Sequence, residues 1–139
     1  YEEGAETALP RVASCSVDLI VTSPPYFDLE HYGETAREAR GQIRTKVRSL
    51  DEYIAVFLEP VLRHCERVLD SGGTLAINLD DNPRAGVAVC APALKIASSL
   101  PSLRLLGTAG LRKGKGFGQG LHRQSSDVQA EPIYIFRKR

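Results

Sequence analysis

The chain has 139 residues, of which 42% are apolar and 25% charged, and it contains no methionine. This length suits one domain, and the composition is typical of a soluble globular protein rather than a disordered one. No apolar run approaches the roughly 20 residues of a membrane span, and the N-terminus lacks a signal-peptide pattern. Because there is no initiator methionine, we expect a processed, trimmed or partial product.

The chain has three cysteines far apart in apolar contexts, and neither they nor the three histidines have the spacing of metal ligands. We therefore predict reduced thiols, a cytoplasmic location and no metal site. Residues 37–50 carry five Arg or Lys against one acid, and residues 104–139 carry eight against two. If these two basic segments converge in space they form a nucleic-acid-binding surface, and otherwise each is a solvated loop.

The first predicted strand is the β-branched run at residues 17–23, which ends at Pro24 and Pro25 because neither proline can continue a central strand. Its nearly continuous hydrophobicity is typical of a parallel strand that is covered on both faces. Residues 27–48 are polar and rich in Arg and Glu, and they predict a long connection or a weak helix.

The clearest periodic pattern begins at Ser49, which forms a capping-box pattern with Glu52. Apolar residues then recur at helical spacing as far as Leu69. Pro60 lies inside this pattern, and we expect it to bend the helix rather than abolish it, because the apolar stripe continues in phase. The helix is predicted to stop at residues 70–73, where a glycine can adopt the left-handed cap conformation.

Three further strands and one helix follow. Residues 74–80 predict a strand, residues 87–100 a helix that Pro101 ends, and residues 103–111 and 132–136 two more strands. This alternation predicts an α/β layer with right-handed crossovers, in which the last two strands can form an antiparallel pair.

Polar groups collect where three predicted strands end, and ligands of open α/β sheets bind at the carboxyl ends of the strands. These ends are residues 22–27, 78–82 and 112–115, which supply a hydroxyl, two prolines, aromatic rings, carboxylates and cations. Taken alone, Ser23-Pro24-Pro25-Tyr26 is more typical of an ordinary strand-ending turn than of a catalytic motif. In its context, we regard this edge of the sheet as the candidate site.

The segment from Val17 to the tetrapeptide Ser23-Pro24-Pro25-Tyr26 resembles the amino-methyltransferases of DNA, whose motif is Asp, Asn or Ser before Pro-Pro-Tyr or Pro-Pro-Phe. Residues 67–75 resemble the family's helix-to-strand junction, and residues 131–138 resemble its last strand. The resemblance implies a partial Rossmann-like methyltransferase sheet of parallel strands with an antiparallel last strand. Residues 1–139 would form a single partial domain, the catalytic half.

The resemblance also implies a reaction. A methyl group would move from S-adenosylmethionine to the exocyclic amine of a flipped base in DNA, as in restriction–modification systems. The serine form of the motif favours N4 of cytosine over N6 of adenine. The exocyclic nitrogen is a poor nucleophile because its lone pair is delocalised into the ring, so the enzyme must hold it in a reactive geometry.

By this resemblance the catalytic residues are Ser23, Pro24, Pro25 and Tyr26. Ser23 Oγ and the Pro24 carbonyl can accept hydrogen bonds from the amine, and the fixed φ angles of the prolines hold these oxygens in place. Tyr26 can stack on the flipped base, and such stacking is worth about 1–3 kcal/mol. A strong general base is not required.

Weaker candidates lie outside this motif. Glu3 precedes the first strand by the distance at which the family has an acidic residue near the cofactor's adenosine, and the alternative is a solvated carboxylate. Asp80 and Asp81 can line the cofactor or base pocket, and the equally weighted alternative is a helix N-cap or a turn before Pro83. The predicted contacts to DNA are an aromatic ring and three cations: Phe27, Lys113, Lys115 and Arg123.

The sequence contains no Phe-x-Gly-x-Gly-type loop, which the resembled family uses to bind its cofactor. We therefore expect a fragment, a subunit whose other half is a second polypeptide, or a domain that has lost catalysis. The chain alone is expected to bind S-adenosylmethionine weakly or not at all. The sheet edge left by absent strands should also favour a homo-oligomer.

Two other functions stay open from the sequence. One is a non-catalytic nucleic-acid-binding or subunit-interaction domain that retains the methyltransferase fold, although such a domain has no need of the intact Ser-Pro-Pro-Tyr turn. The other is a methyltransferase of RNA or of protein amides, in which related motifs begin with asparagine.

Overall fold

A computed structural model describes residues 3–25, 27, 47–82, 86–112 and 130–139. Three α-helical elements, one short 3-10 helix (Leu9–Arg11) and four strands follow one another in these ranges. The helices are α1 (Ala5–Ala8), α2 (the continuous stretch Leu50–Tyr53, Ile54–Leu58 and Glu59–Val68) and α3 (Cys90–Ser99). The strands are β1 (Val17–Thr22), β2 (Leu69–Asn78), β3 (Leu103–Arg112) and β4 (Ala130–Lys138). None of the helices in these ranges is both long and apolar enough to cross a lipid bilayer.

The four strands form one mixed sheet in the order β1-β2-β4-β3. β1 pairs with β2 in parallel, and β4 lies antiparallel between β2 and β3. The predicted α/β layer with an antiparallel last strand is therefore confirmed. Because β1, β2 and β3 run in the same direction, their carboxyl ends lie at one edge of the sheet.

The long helix α2 begins where the capping pattern predicts. Ser49 Oγ accepts a hydrogen bond from the backbone N–H of Glu52 at 3.1 Å, and the Glu52 carboxylate accepts one from the N–H of Arg48 at 2.6 Å. The stretch Ile54–Leu58 forms a wide π-helical turn immediately before Pro60. Proline has no N–H for the carbonyl four residues earlier and its ring crowds that carbonyl, so a wider turn accommodates it without ending the helix.

The end of α2 differs from the prediction. The helix ends at Val68 and Leu69 is already extended, so the glycine cap predicted at residues 70–73 is wrong. The carbonyls of Arg67 and Val68 accept hydrogen bonds from the N–H groups of Cys15 and Ser16, at 3.1 and 2.8 Å. The turn before β1 therefore satisfies the helix end, and no left-handed glycine is needed for that purpose.

The glycine conformation is used inside β2 instead. Gly72 has a φ of 78°, in the left-handed region. Val17 pairs with Leu69 and Leu19 pairs with Thr74, so four residues of β2 lie opposite the single residue Asp18 of β1. This bulge lets β2 leave the helix end and still enter register with β1.

The hydrophobic core lies between one face of the sheet and the helices. Buried side chains of α2 and α3 pack on sheet residues such as Leu75, Ile77 and Phe136. Leu19 and Val21 alternate with the core-facing residues of β1 and are 58% and 71% exposed. The expectation that β1 is covered on both faces is therefore wrong for the part of the chain that the structure describes. A continuous apolar run indicates that both faces of a strand are hydrophobic. It does not indicate whether residues of this chain pack against both faces.

Candidate active site

The turn that ends β1 stands directly beside the end of β2. Thr22 pairs with Ile77, so the next residues, Ser23 and Asn78, are neighbours at the carboxyl edge of the sheet. Ser23 is exposed, Pro24 is buried and Pro25 is half-buried. The prolines thus anchor the turn while the serine hydroxyl faces outward.

Asn78 is the nearest polar partner of the serine. Ser23 Oγ donates to Asn78 Oδ1 at a long distance of 3.5 Å, and Asn78 Nδ2 donates to the Pro132 carbonyl at 3.0 Å. The second bond fixes which end of the amide faces Ser23. When the serine proton points at Asn78, the oxygen lone pairs remain available to an N–H donor from outside.

Tyr53 of α2 holds the other end of the turn. Its hydroxyl donates to the Pro25 carbonyl at 2.9 Å, and the residue is only 1% exposed. Its ring lies 5.8 Å from the ring of Phe27 and 5.4 Å from that of Phe57, measured between centroids. In the sequence Tyr53 is one apolar position of the helical stripe, and nothing there signals where its hydroxyl points.

The loop after β2 contains both carboxylates considered from the sequence. Asp81 Oδ1 accepts hydrogen bonds from the N–H groups of Val89 and Cys90 at 2.7 and 2.8 Å, so this carboxylate caps α3. Asp80 is half-buried beside it. The capping alternative therefore holds for Asp81, while the proposed role of Asp80 at a pocket stays a prediction.

Two neutral groups lie close to these carboxylates. Burial raises the pKa of Cys90 to about 11 and that of Tyr134 to about 12. The negative charges of Asp80 and Asp81 act in the same direction on both groups. The thiol and the phenol are therefore protonated near pH 7, and neither serves as an anionic base at this edge.

The remaining predicted residues fall elsewhere. Glu3 forms an ion pair with Arg11, and this hydrogen bond lowers the pKa of the carboxyl group. Phe27 packs on the core beside Tyr53. The other four lie outside the described residues and stay predictions: Tyr26, Lys113, Lys115 and Arg123. Most of the two basic segments also lies outside, so their convergence is still a prediction.

An open groove of about 310 Å³ runs along β1 between α1 and α2. Its lining is apolar except for the hydroxyl of Thr22 and the thiol of Cys65. Burial raises the pKa of that thiol to about 12, so it is uncharged. Within the described ranges, no three His, Cys, Asp or Glu side chains come together as metal ligands.

Relatives of known sequence match part of this chain. The Type II methyltransferase M.XycI of Xanthomonas campestris pv. cyanopsidis is 38% identical over 86 residues, and M.Cfr9I of Citrobacter freundii is 36% identical over 86 residues. Each match covers 62% of this chain and 26% of the relative. The chain thus aligns with about a quarter of the length of these enzymes.

Solved structures share the fold over nearly the whole chain. TTHA0409 of Thermus thermophilus, described as a DNA modification methylase, matches 98% of this chain and 50% of its own, with a TM-score of 0.61 and 23% identity. The N-methyltransferase NodS of Bradyrhizobium japonicum matches 95% of this chain and 52% of its own, with a TM-score of 0.51 and 14% identity. Both likenesses show a partial Rossmann-like methyltransferase fold. Residues 17–139 match the N6/N4 type of DNA methylase as a family. The chain therefore belongs to the DNA methylase family.

Proposed function

We propose that this chain supplies the base-handling part of a DNA methyltransferase that methylates an exocyclic amine, with N4 of cytosine favoured over N6 of adenine. One observation carries the proposal: the turn Ser23-Pro24-Pro25 ends β1 with its hydroxyl exposed beside Asn78, in a chain of the DNA methylase family. The serine at the first position of the motif supports cytosine. The Type II methyltransferases among the relatives support a role in restriction–modification.

The chemistry asked of the turn is to hold a weakly nucleophilic nitrogen. Ser23 Oγ and the Pro24 carbonyl accept hydrogen bonds from the two N–H groups of the base amine. These two bonds hold the nitrogen in a geometry in which its lone pair is drawn out of conjugation with the ring. Both acceptors are held by the stiff proline backbone, so little reorganisation is needed when charge develops on the nitrogen. Tyr26 stacks on the base once it has left the duplex.

S-adenosylmethionine is the cofactor, and it supplies an electrophilic methyl group. TTHA0409 has been solved in complex with S-adenosylmethionine, and NodS with S-adenosyl-L-homocysteine. The described residues do not form a site that fits this molecule. The groove beside β1 offers the polar groups of the cofactor little more than Thr22, and Glu3 is engaged by Arg11. We therefore propose that the cofactor is held mainly by a second polypeptide or a further segment, with Asp80 as a contact.

The test joins this chain to the cofactor-binding part of a relative such as M.XycI, with that relative's own corresponding segment in the same fusion as the positive reference. Transfer of tritiated methyl groups to DNA is measured, and the methylated nucleoside is identified by chromatography. We expect labelled N4-methylcytosine. Calorimetry on the chain without the added part should show no micromolar binding of S-adenosylmethionine.

Ser23→Ala and Tyr26→Ala test the site itself. Loss of one preorganised hydrogen-bonding group costs about a hundredfold in rate, so we expect a loss of that order for Ser23→Ala. Ser99→Ala is the matched control, because within the described ranges its hydroxyl donates only to the Ile96 carbonyl inside α3. Full activity of both site variants would contradict the assignment. An active reference fusion beside an inactive fusion of this chain would favour the non-catalytic alternative.

A further inference from the structure

We propose that Tyr53 is a positioning residue of the Ser23-Pro24-Pro25 turn: its hydroxyl holds the Pro25 carbonyl and thereby fixes the direction of the Pro24 carbonyl and of Ser23 Oγ. This inference rests on the proposed function of the same turn. Tyr53 does not contact the base or the cofactor in this scheme. It acts through the backbone of the motif.

The Tyr53 hydroxyl donates to one of the two backbone carbonyls that the turn offers. The turn offers the carbonyls of Pro24 and Pro25, and Tyr53 Oη binds the second at 2.9 Å, close to the preferred O–H···O distance. Among the described residues, no hydrogen bond to the Pro24 carbonyl is found. The tyrosine therefore occupies the carbonyl that the reaction does not use and leaves the other one without a described donor.

The position of Tyr53 makes this hydrogen bond stiff. The residue is 1% exposed, and its ring packs against Phe27 just after the turn and against Phe57 one helical turn on. It lies at the end of the first segment of α2, where the wide turn Ile54–Leu58 begins. A side chain fixed at its ring and on a rigid helix can hold an oxygen partner within a narrow range of positions.

A second tether acts on the first residue of the motif. Ser23 Oγ points at Asn78 Oδ1 from β2, while Tyr53 holds Pro25 from α2. The motif is thus held at both ends by different elements. The ring of Pro25 fixes its φ, so a rotation about ψ of Pro24 that turned the Pro24 carbonyl away from the substrate would also swing Pro25 and break the bond of its carbonyl to Tyr53.

A buried tyrosine usually finds a hydrogen-bond partner, and a purely structural role would also lower stability when the hydroxyl is removed. The two roles differ in what else changes. A positioning role predicts a fall in kcat with little change in KM for S-adenosylmethionine, because only the geometry of the acceptors is disturbed. If the role is purely structural, kcat and KM should change no more than they do in another variant with the same loss of stability.

The experiment compares Tyr53→Phe with Ser49→Ala in the fusion used for the proposed function. Ser49→Ala removes the N-cap of the same helix, so it destabilises α2 while leaving the hydroxyl of Tyr53 and the turn intact. Both variants are characterised by the midpoint of thermal unfolding, by kcat and by KM. We expect both variants to lose a similar amount of stability. At that loss, kcat should fall about tenfold or more for Tyr53→Phe, whereas Ser49→Ala should keep nearly full kcat.

A double-mutant cycle with Ser23→Ala tests the connection. If Tyr53 acts through the acceptors of the turn, the losses of Tyr53→Phe and Ser23→Ala will be less than multiplicative in the double variant. If Ser23→Ala abolishes activity but Tyr53→Phe behaves like Ser49→Ala, the positioning role alone is overturned. If Ser23→Ala keeps full activity, the proposed function of the turn fails and the role of Tyr53 fails with it.

Discussion

Cys65 shows at the scale of one residue how the packing of α2 controls ionisation. The side chain is 2% exposed, and burial raises the pKa of its thiol from 9.0 to about 12. The folded state therefore keeps this proton over a pH range in which the unfolded chain releases it. Stability is fully present below about pH 9 and is lost as the pH rises toward 12, because the unfolded state then binds fewer protons than the native state.

We expect Cys65→Ala to make the alkaline loss of stability shallower. The variant removes a buried thiol and will be less stable near pH 7 because it leaves a small cavity. It also removes one group that must stay protonated, so its free energy of unfolding will fall less steeply between about pH 9 and pH 11. Urea unfolding at several pH values in the presence of a reductant measures both effects. An unchanged slope would show that the thiol is not buried as described.

At the scale of elements, the junction between α2 and β2 requires glycine at two positions, for a different physical reason at each. Gly72 adopts a left-handed φ of 78°. A Cβ on Gly73 would lie 2.9 Å from the carbonyl oxygen of Asp70, 3.1 Å from a methyl group of Leu69 and 3.2 Å from the carbonyl of Asp18. Two of these three neighbours are backbone atoms, which cannot move away without breaking the bulge that sets the register of β1 and β2.

Gly73→Ala should therefore lower the free energy of unfolding by about 1–3 kcal/mol, as other overpacked positions do. Gly107→Ala is the matched control. It is the same substitution within β3, and a Cβ there would meet nothing within 4 Å. We expect the control to change stability by less than about 0.5 kcal/mol. Denaturant titration of both variants measures the difference, and equal stabilities would contradict the close approach.

The sequence predicts the ends of elements well where neighbouring residues determine them, and less well where residues distant in the chain determine them. Ser49 and Glu52 locate the start of α2 because both groups lie within one turn. The predicted end of α2 is wrong because its carbonyls bond to Cys15 and Ser16, about fifty residues away, which no local pattern can show. The prolines identify the motif turn, but the hydroxyl of Tyr53 acts across the core, and its contact with the turn exists only after folding.

At the scale of the whole molecule, the described chain leaves one side of β1 uncovered. β1 stands at the end of the strand order, and Leu19 and Val21 are largely exposed. An edge strand with apolar side chains and unpaired backbone groups is a ready template for another strand. On this physical ground we predict that the chain alone self-associates through β1.

We expect Leu19→Lys to shift the isolated chain toward the monomer, because a lysine on an edge strand disfavours pairing with another copy. Val56→Lys is the control: Val56 is 48% exposed on α2, so the same charge is added away from β1. Sedimentation velocity over a range of concentrations measures the average mass. If the wild-type chain is monomeric throughout, or if both variants behave alike, the edge of β1 is not the site of association.

The strand order also determines when the sheet can form during translation. Of the four described strands, β4 is translated last, yet it lies between β2 and β3 and is the one that pairs with β3. While a ribosome is still translating the residues after Arg112, β3 has been made but its neighbour has not. Long-range pairing of this kind is slow, and until it occurs Leu103 of β3, which is 6% exposed in the complete fold, stays accessible to chaperones. The four described strands can therefore assemble into one sheet only after residues 130–138 have emerged, because β4 is the strand that joins β3 to β2.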